Sequence, residues 1–172
     1  MTAHRSMSDV AAMELRAVAY DHPDAVALVS LLQRHYLAVY GEEDPRHGDP
    51  GEYLPPRGLF LVGYLDGRPV ACGGWRAKDA GRWGFQDGDA ELKRAYVVEE
   101  LAGLQMLGAA HSILTAVESA AVRAGRRRAI LDAGVKQVTA LRFFERAGYT
   151  RIPNYGVYRD DPQTVCYAKA LR

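Results

Sequence analysis

An α+β (mixed α/β) fold, built on a single mixed and mostly antiparallel sheet with helices on both faces, is what three features of this chain predict. Two apolar, β-rich runs in the first half flank an Asp66-Gly67 turn, the pattern of an antiparallel hairpin. The second half alternates strand, helix, strand, helix, and each helix is stopped by a glycine, Gly125 and Gly148. No internal repeat and no linker interrupts this order, so one sheet must serve both halves.

Residues 1–12 read as a loose tail, leaving 13–172 as a single domain. Glu14 to Ala19 form the first strand. Asp21 or His22 opens a helix whose first turn accommodates Pro23, and Ala25, Leu28, Val29, Leu32 and Tyr36 continue at helical spacing to about Tyr40. The stretch 41–57, rich in Gly, Pro and acids, is loop, and loops of that length often line binding sites. Gly58–Tyr64 and Val70–Arg76 are the hairpin strands. A polar, glycine-punctuated segment, 78–88, leads into a strand over Ala90–Val98. A long amphipathic helix runs from about Gln105 to Ala124 with Ile113, Leu114, Val117 and Ala121 on one stripe. Arg128–Ala133 is a strand and Gln137–Ala147 a shorter helix. Tyr149–Ile152 and Thr164–Ala170 are the last two strands.

Composition narrows the function. With 48% hydrophobic and 25% charged residues in 172, the chain can bury a core without metal or disulfide staples. A formal net charge of +1 argues against a nucleic-acid or membrane-surface partner. No apolar run approaches a membrane span, and no leader pattern opens the chain, so a cytoplasmic location is the default. Cys72 and Cys166 fall in apolar strands as small core residues, and the histidines lack metal-ligand spacing, so no metal is expected. HExxH, CxxC, GxSxG and the Walker A pattern are all missing.

The motif with chemical content is the QxxGxA of Gln105, Gly108 and Ala110, where a helix begins. Amides in a first helical turn lack intrahelical partners and carry the positive end of the helix dipole, so they suit a phosphate. Gly108, Ala109 and Ala110 leave room for a bulky pyrophosphate. A phosphate-bearing cofactor is the direct reading.

The element order, this turn, the segment ALRFFERAGY at 140–149 and the strand AELKRAYVV together resemble the GNAT superfamily of acetyl-CoA-dependent N-acetyltransferases, over roughly 14–171. The resemblance implies a central strand pair that splays to admit pantetheine. It implies that the backbone of Tyr96, Val97 and Val98 bonds the pantetheine arm, with the Val97 amide as oxyanion donor. The amides from Gln105 through Met106, Leu107, Gly108, Ala109 and Ala110 to His111 would hold the pyrophosphate. His111 reads equally as a phosphate contact or an exposed helix histidine. Two departures stand out. The loop before the helix is about three residues longer than usual, with Met106 and Leu107 where the family has Gly and Arg. Phe144 occupies the position, against the cofactor, where many members carry the tyrosine that protonates the departing thiolate.

Direct transfer needs a base for the amine. Glu91, four residues before Ala95 and sharing a face with Lys93 and Ala95 by strand alternation, stands where the resemblance places the glutamate of histone-acetylating members, and so the resemblance implies it as the base; the alternatives are a glutamate paired with Lys93 or an arginine, or one that binds a substrate cation. Tyr155 and Tyr158, in the loop between the last two strands, would reach the acceptor side, where either binds substrate or replaces the missing acid, or else simply pack the loop; Tyr158 is the one expected as substitute acid. Asp160 and Asp161 read as a turn or as an attraction for a cationic amine. The expectation is an N-acetyltransferase moving an acetyl group from acetyl-CoA to a small-molecule or peptide amine in a ternary complex. The alternative is a catalytically weak CoA-binding or regulatory module. Homodimerisation, common in the family, is left open.

Overall fold

A computed structural model describes residues 12–172; of the expected tail, residues 1–11 lie outside the described residues. Seven strands form one sheet: β1 (Glu14–Ala17), β2 (Gly58–Leu65), β3 (Arg68–Lys78), β4 (Asp89–Val97), β5 (Arg128–Gly134), β6 (Thr150–Ile152) and β7 (Thr164–Ala170), in the order β1-β2-β3-β4-β5-β7-β6. Only β4 and β5 run parallel; every other neighbouring pair is antiparallel. The helices are α1 (Pro23–Tyr40), α2 (Gly103–Arg123) and α3 (Val138–Arg146). The mixed, mostly antiparallel sheet is the one the sequence predicts.

The β2–β3 hairpin turns through Asp66 (φ 49°) and Gly67 (φ 76°), two successive positive φ values that a two-residue turn of this hand requires. β3 then threads between the two helical layers. A Cβ at Gly73 would touch Ile113 and Val117 of α2, while one at Gly74 would touch Phe60 and Tyr53 on the opposite face. The α2 stripe of Ala109, Ile113, Leu114, Val117, Ala120 and Ala121 is buried against one side of the sheet, and Ala25, Leu28 and Leu32 of α1 are buried in the other layer. Trp75, Phe60 and Val62 fill the middle.

The sheet opens at its centre. β4 and β5 pair only through Asp89↔Arg128, Ala90↔Ala129 and Glu91↔Ile130, then part. β4 stays paired to β3 as far as Ala71↔Val97, and β5 to β7 as far as Gly134↔Thr164. The closed end is pinned by Asp89, wholly buried, whose carboxylate takes Nε and Nη2 of Arg128 at 2.7 and 2.8 Å. Arg126 adds bonds to the carbonyls of Asp89 and Lys78. The basic run at 126–128 is therefore in good part structural. Among the described residues no helix is long and apolar enough to cross a membrane.

Candidate active site

A cavity of about 710 Å³ passes through the gap between β4 and β5. On the α2 side its wall is Met106, Leu107, Ala110 and Ile113 with Ala140, Phe143 and Phe144 of α3; on the α1 side it is Tyr36, Tyr40 and the 42–46 segment. Leu92 to Val97 and Leu131 to Gly134 line its throat.

The free edge of β4 offers backbone groups to this throat. The Val98 amide donates to the Val70 carbonyl at 2.9 Å, so in an antiparallel ladder the Val97 amide points to the opposite edge, where β5 has moved away. The expectation for Val98 is corrected. Its amide serves β3, its carbonyl accepts from Leu101, and its side chain is buried outside the cavity lining. Tyr96 and Val97 remain on the wall.

The phosphate turn is also displaced. α2 begins at Gly103, whose φ of 58° favours glycine, rather than at Gln105. The amides without intrahelical partners are thus those of Ala102 to Gln105, and no side chain caps them. Amides from Met106 onward belong to the helix ladder. Met106, Leu107 and Ala110 line the cavity, Ala109 is packed in the core, and Gln105 and Gly108 face outward. His111 lines a separate depression with Glu118, Lys169 and Arg172, away from the cavity. The earlier helix start follows from Gly103, two residues before the QxxGxA motif.

Glu91 is where the structure departs most from expectation. Its carboxylate is buried and accepts from Arg76 Nε at 2.7 Å, while Arg76 Nη1 reaches Glu52 at 3.0 Å. It does not line the cavity. This is the arginine-paired alternative. Burial disfavours the Arg76 charge, but Glu91 and then Tyr53 and Glu52 outweigh that and hold the guanidinium firmly ionised. The face assigned by alternation also fails beyond Lys93. A bulge sets Arg94 (φ 59°) and Ala95 against Gly73 alone, so Ala95 no longer follows the count from Glu91.

What does face the throat is Lys93. Its Nζ donates to Asp132 Oδ1 and to the Tyr158 hydroxyl, both at 2.8 Å. Tyr158 is buried, and burial, reinforced by Asp132 and opposed by Lys93, pushes its hydroxyl up to about 12. Tyr158 stands behind Lys93, outside the lining, and Arg46 stacks over its ring at 4.5 Å. Tyr155 is wholly buried against Phe85 and Tyr158, and does not reach the acceptor end. Asp161 does line the cavity, while its carboxylate also accepts from the Gln163 amide and the Thr164 hydroxyl.

The segment over the α1 side is clamped. Gln33 bonds both the carbonyl and the amide of Asp44 at 2.9 Å, Asp44 accepts from Arg46 Nε at 2.8 Å, and Arg94 reaches the Arg46 carbonyl. Near the end of α1, Tyr40 packs so closely on β5 that a Cβ at Gly134 would run into its hydroxyl. Among the described residues no cluster of three His, Cys, Asp or Glu side chains is placed to hold a metal.

Residues 25–149 match the family model described as "Acetyltransferase (GNAT) family". No curated protein matches the chain significantly. Among solved structures, an acetyltransferase from Streptococcus agalactiae superposes with a TM-score of 0.70 at 18% identity, covering 92% of this chain and 98% of that one. A GNAT-family acetyltransferase from Staphylococcus aureus gives 0.71 at 15% identity, covering 92% and 100%. PaiA N-acetyltransferase from Thermoplasma acidophilum, in complex with coenzyme A, gives 0.63 at 13%, covering 92% and 99%. At these identities the likeness is one of fold.

Proposed function

Because the chain belongs to the GNAT acetyltransferase family, we propose that it moves an acetyl group from acetyl-CoA to the primary amine of a small molecule or peptide, by direct attack in a ternary complex. The observation that carries this reading is the cavity that crosses the sheet where β4 and β5 part, with one mouth under α2 and α3 and the other under α1. Two substrates can enter from opposite faces and meet at the throat.

The residues on the α2 side fit a CoA thioester. The uncapped amides of Ala102 to Gln105 suit the pyrophosphate. The outward-facing Val97 amide suits a pantetheine carbonyl or the oxyanion of the reacting thioester. Met106, Ala140, Phe143 and Phe144 supply an apolar cover for the arm. On the α1 side, the carboxylates of Asp132 and Asp161 face an incoming ammonium. Tyr158 is in this reading a positioning residue that holds Lys93.

A second reading is a CoA-binding module with little turnover, favoured by the engagement of Glu91 with Arg76 and by the carbon-only side chain at Phe144. Calorimetry with acetyl-CoA, followed by an amine panel read by thiol release, separates the two. Binding with release for at least one amine supports the enzyme, and binding with no release across the panel supports the module. Absence of acetyl-CoA binding sinks both.

A further inference from the structure

The closed end of the β4–β5 gap carries a charge that the reaction as outlined does not use. β4 and β5 are paired up to Glu91↔Ile130, so Lys93 and Asp132 are the first side chains beyond the closure on that face of the sheet. Their ion pair, Nζ to Oδ1 at 2.8 Å, spans the opening, and both residues line the throat. A pantetheine arm anchored at the start of α2 and lying along the free edge of β4 runs from Val97 toward this closure, roughly 13 Å of strand. An arm lying so would end where the gap ends, with its sulfur beside Lys93. From the opposite wall Phe144 presents only carbon.

We propose that Lys93 is a catalytic residue whose ammonium stabilises the departing CoA thiolate, in place of a proton donor at position 144. The inference rests on the CoA-dependent reading of the cavity. The acceptor nitrogen attacks the acetyl carbonyl, the C–N bond forms, and the C–S bond breaks with its electron pair passing to sulfur. Lys93 keeps its three protons and pairs with the thiolate, which takes a proton from solvent. The proton lost by the acetylated nitrogen leaves to water at the α1 mouth.

The surroundings keep Lys93 charged. Burial works against the ammonium, but Asp132, Tyr158 and Glu91 outweigh it and hold the group well above the usual lysine value. The titratable and charged groups around it are Asp132 on β5, Tyr158 between β6 and β7, Cys166 on β7, Tyr36 on α1, Tyr53 before β2, Glu91 on β4, and Arg46 and Arg94. A lysine held this firmly is a poor acid and a dependable cation.

The test compares the affinities of CoA and desulfo-CoA, which lacks the thiol, from neutral pH to about 9. If Lys93 meets the sulfur, the bound thiol ionises more readily than the free one, and CoA gains on desulfo-CoA as pH rises, by roughly sixfold between pH 7 and 9 for a thiol pKa lowered by one unit from about 8.5. Lys93→Met should lose that gain, and Lys93→Arg, which keeps the charge, should retain most of it. A loss of packing alone would weaken both ligands equally. No gain in the wild type, or an undiminished gain in Lys93→Met, overturns the proposal. Failure of both ligands to bind the wild type overturns the CoA reading itself, and the proposal falls with it.

Discussion

At the scale of single residues, two carboxylates carry opposite lessons. Glu91, an acid on the central strand, invited a catalytic role, yet it serves as the buried partner of Arg76. Removing one member of a buried pair leaves the other charge under-compensated. Glu91→Gln should therefore cost stability, about 3 kcal/mol, at the low end of that effect because Glu52 still faces Arg76. Denaturant unfolding reads the loss, and kcat of the folded variant should stay close to wild type; a kcat collapse with stability intact would restore Glu91 as the base. Asp44 is the second case. Burial raises its pKa, but the Arg46 amide and guanidinium, with Arg94, outweigh burial and hold the carboxyl below its usual value. A depressed folded-state pKa contributes stability that is complete above the unfolded value, about 4, and is lost as pH falls through the folded value. Thermal unfolding should accordingly show Tm falling below about pH 4 in the wild type, with a shallower fall in Asp44→Asn, which is already weakened at neutral pH. If the two profiles are parallel, the clamp is not titrating.

At the scale of elements, the start of α2 is the proposed seat of the phosphates. Its open turn presents amides but no cation, and Leu104 and Leu107 stand 87% and 48% exposed beside it. A cation there would add charge pairing to the dipole and amide contacts. Leu107→Arg should tighten acetyl-CoA binding by about two- to fivefold, the equivalent of 0.3–1 kcal/mol, and the gain should shrink at high salt. Calorimetry at two ionic strengths checks this, and an unchanged affinity would place the phosphates elsewhere. The same element shows what the sequence revealed and what it hid. The Asp66-Gly67 turn was legible because two local residues dictate it, and the α2 stripe because its period is 3.6. The first residue of α2 was not, because the QxxGxA spacing begins only at the third helical residue while Gly103 with its positive φ makes the start. The bulge at Arg94 was equally hidden, since alternation carries no mark of an inserted residue. Lys93, Asp132 and Tyr158 converge from 39 and 65 residues apart, a meeting that no local pattern encodes.

At the scale of the whole molecule, the kinetic order follows from what the sheet places at its opening. An acetyl-enzyme route would need a nucleophile on the cavity wall with a base to activate it. The two thiols are elsewhere: Cys72 and Cys166 are both buried in strands and absent from the cavity lining. Burial pushes their thiols up to about 12 and about 11, so neither is a thiolate at neutral pH. Lys93, in the throat, is held protonated by Asp132 and cannot attack. In the proposed reading, a cavity whose lining reaches both faces of one sheet lets both substrates be present at once, with the gap between β4 and β5 aligning acceptor and thioester. The proposed direct transfer is the route consistent with these positions. Initial velocities with both substrates varied should give intersecting double-reciprocal lines, and intact-mass measurement after incubation with acetyl-CoA alone should show no added acetyl group. Parallel lines, or an acetylated protein that passes its label to an amine, would mean that a covalent intermediate forms and that the through-sheet cavity does not bring the substrates together.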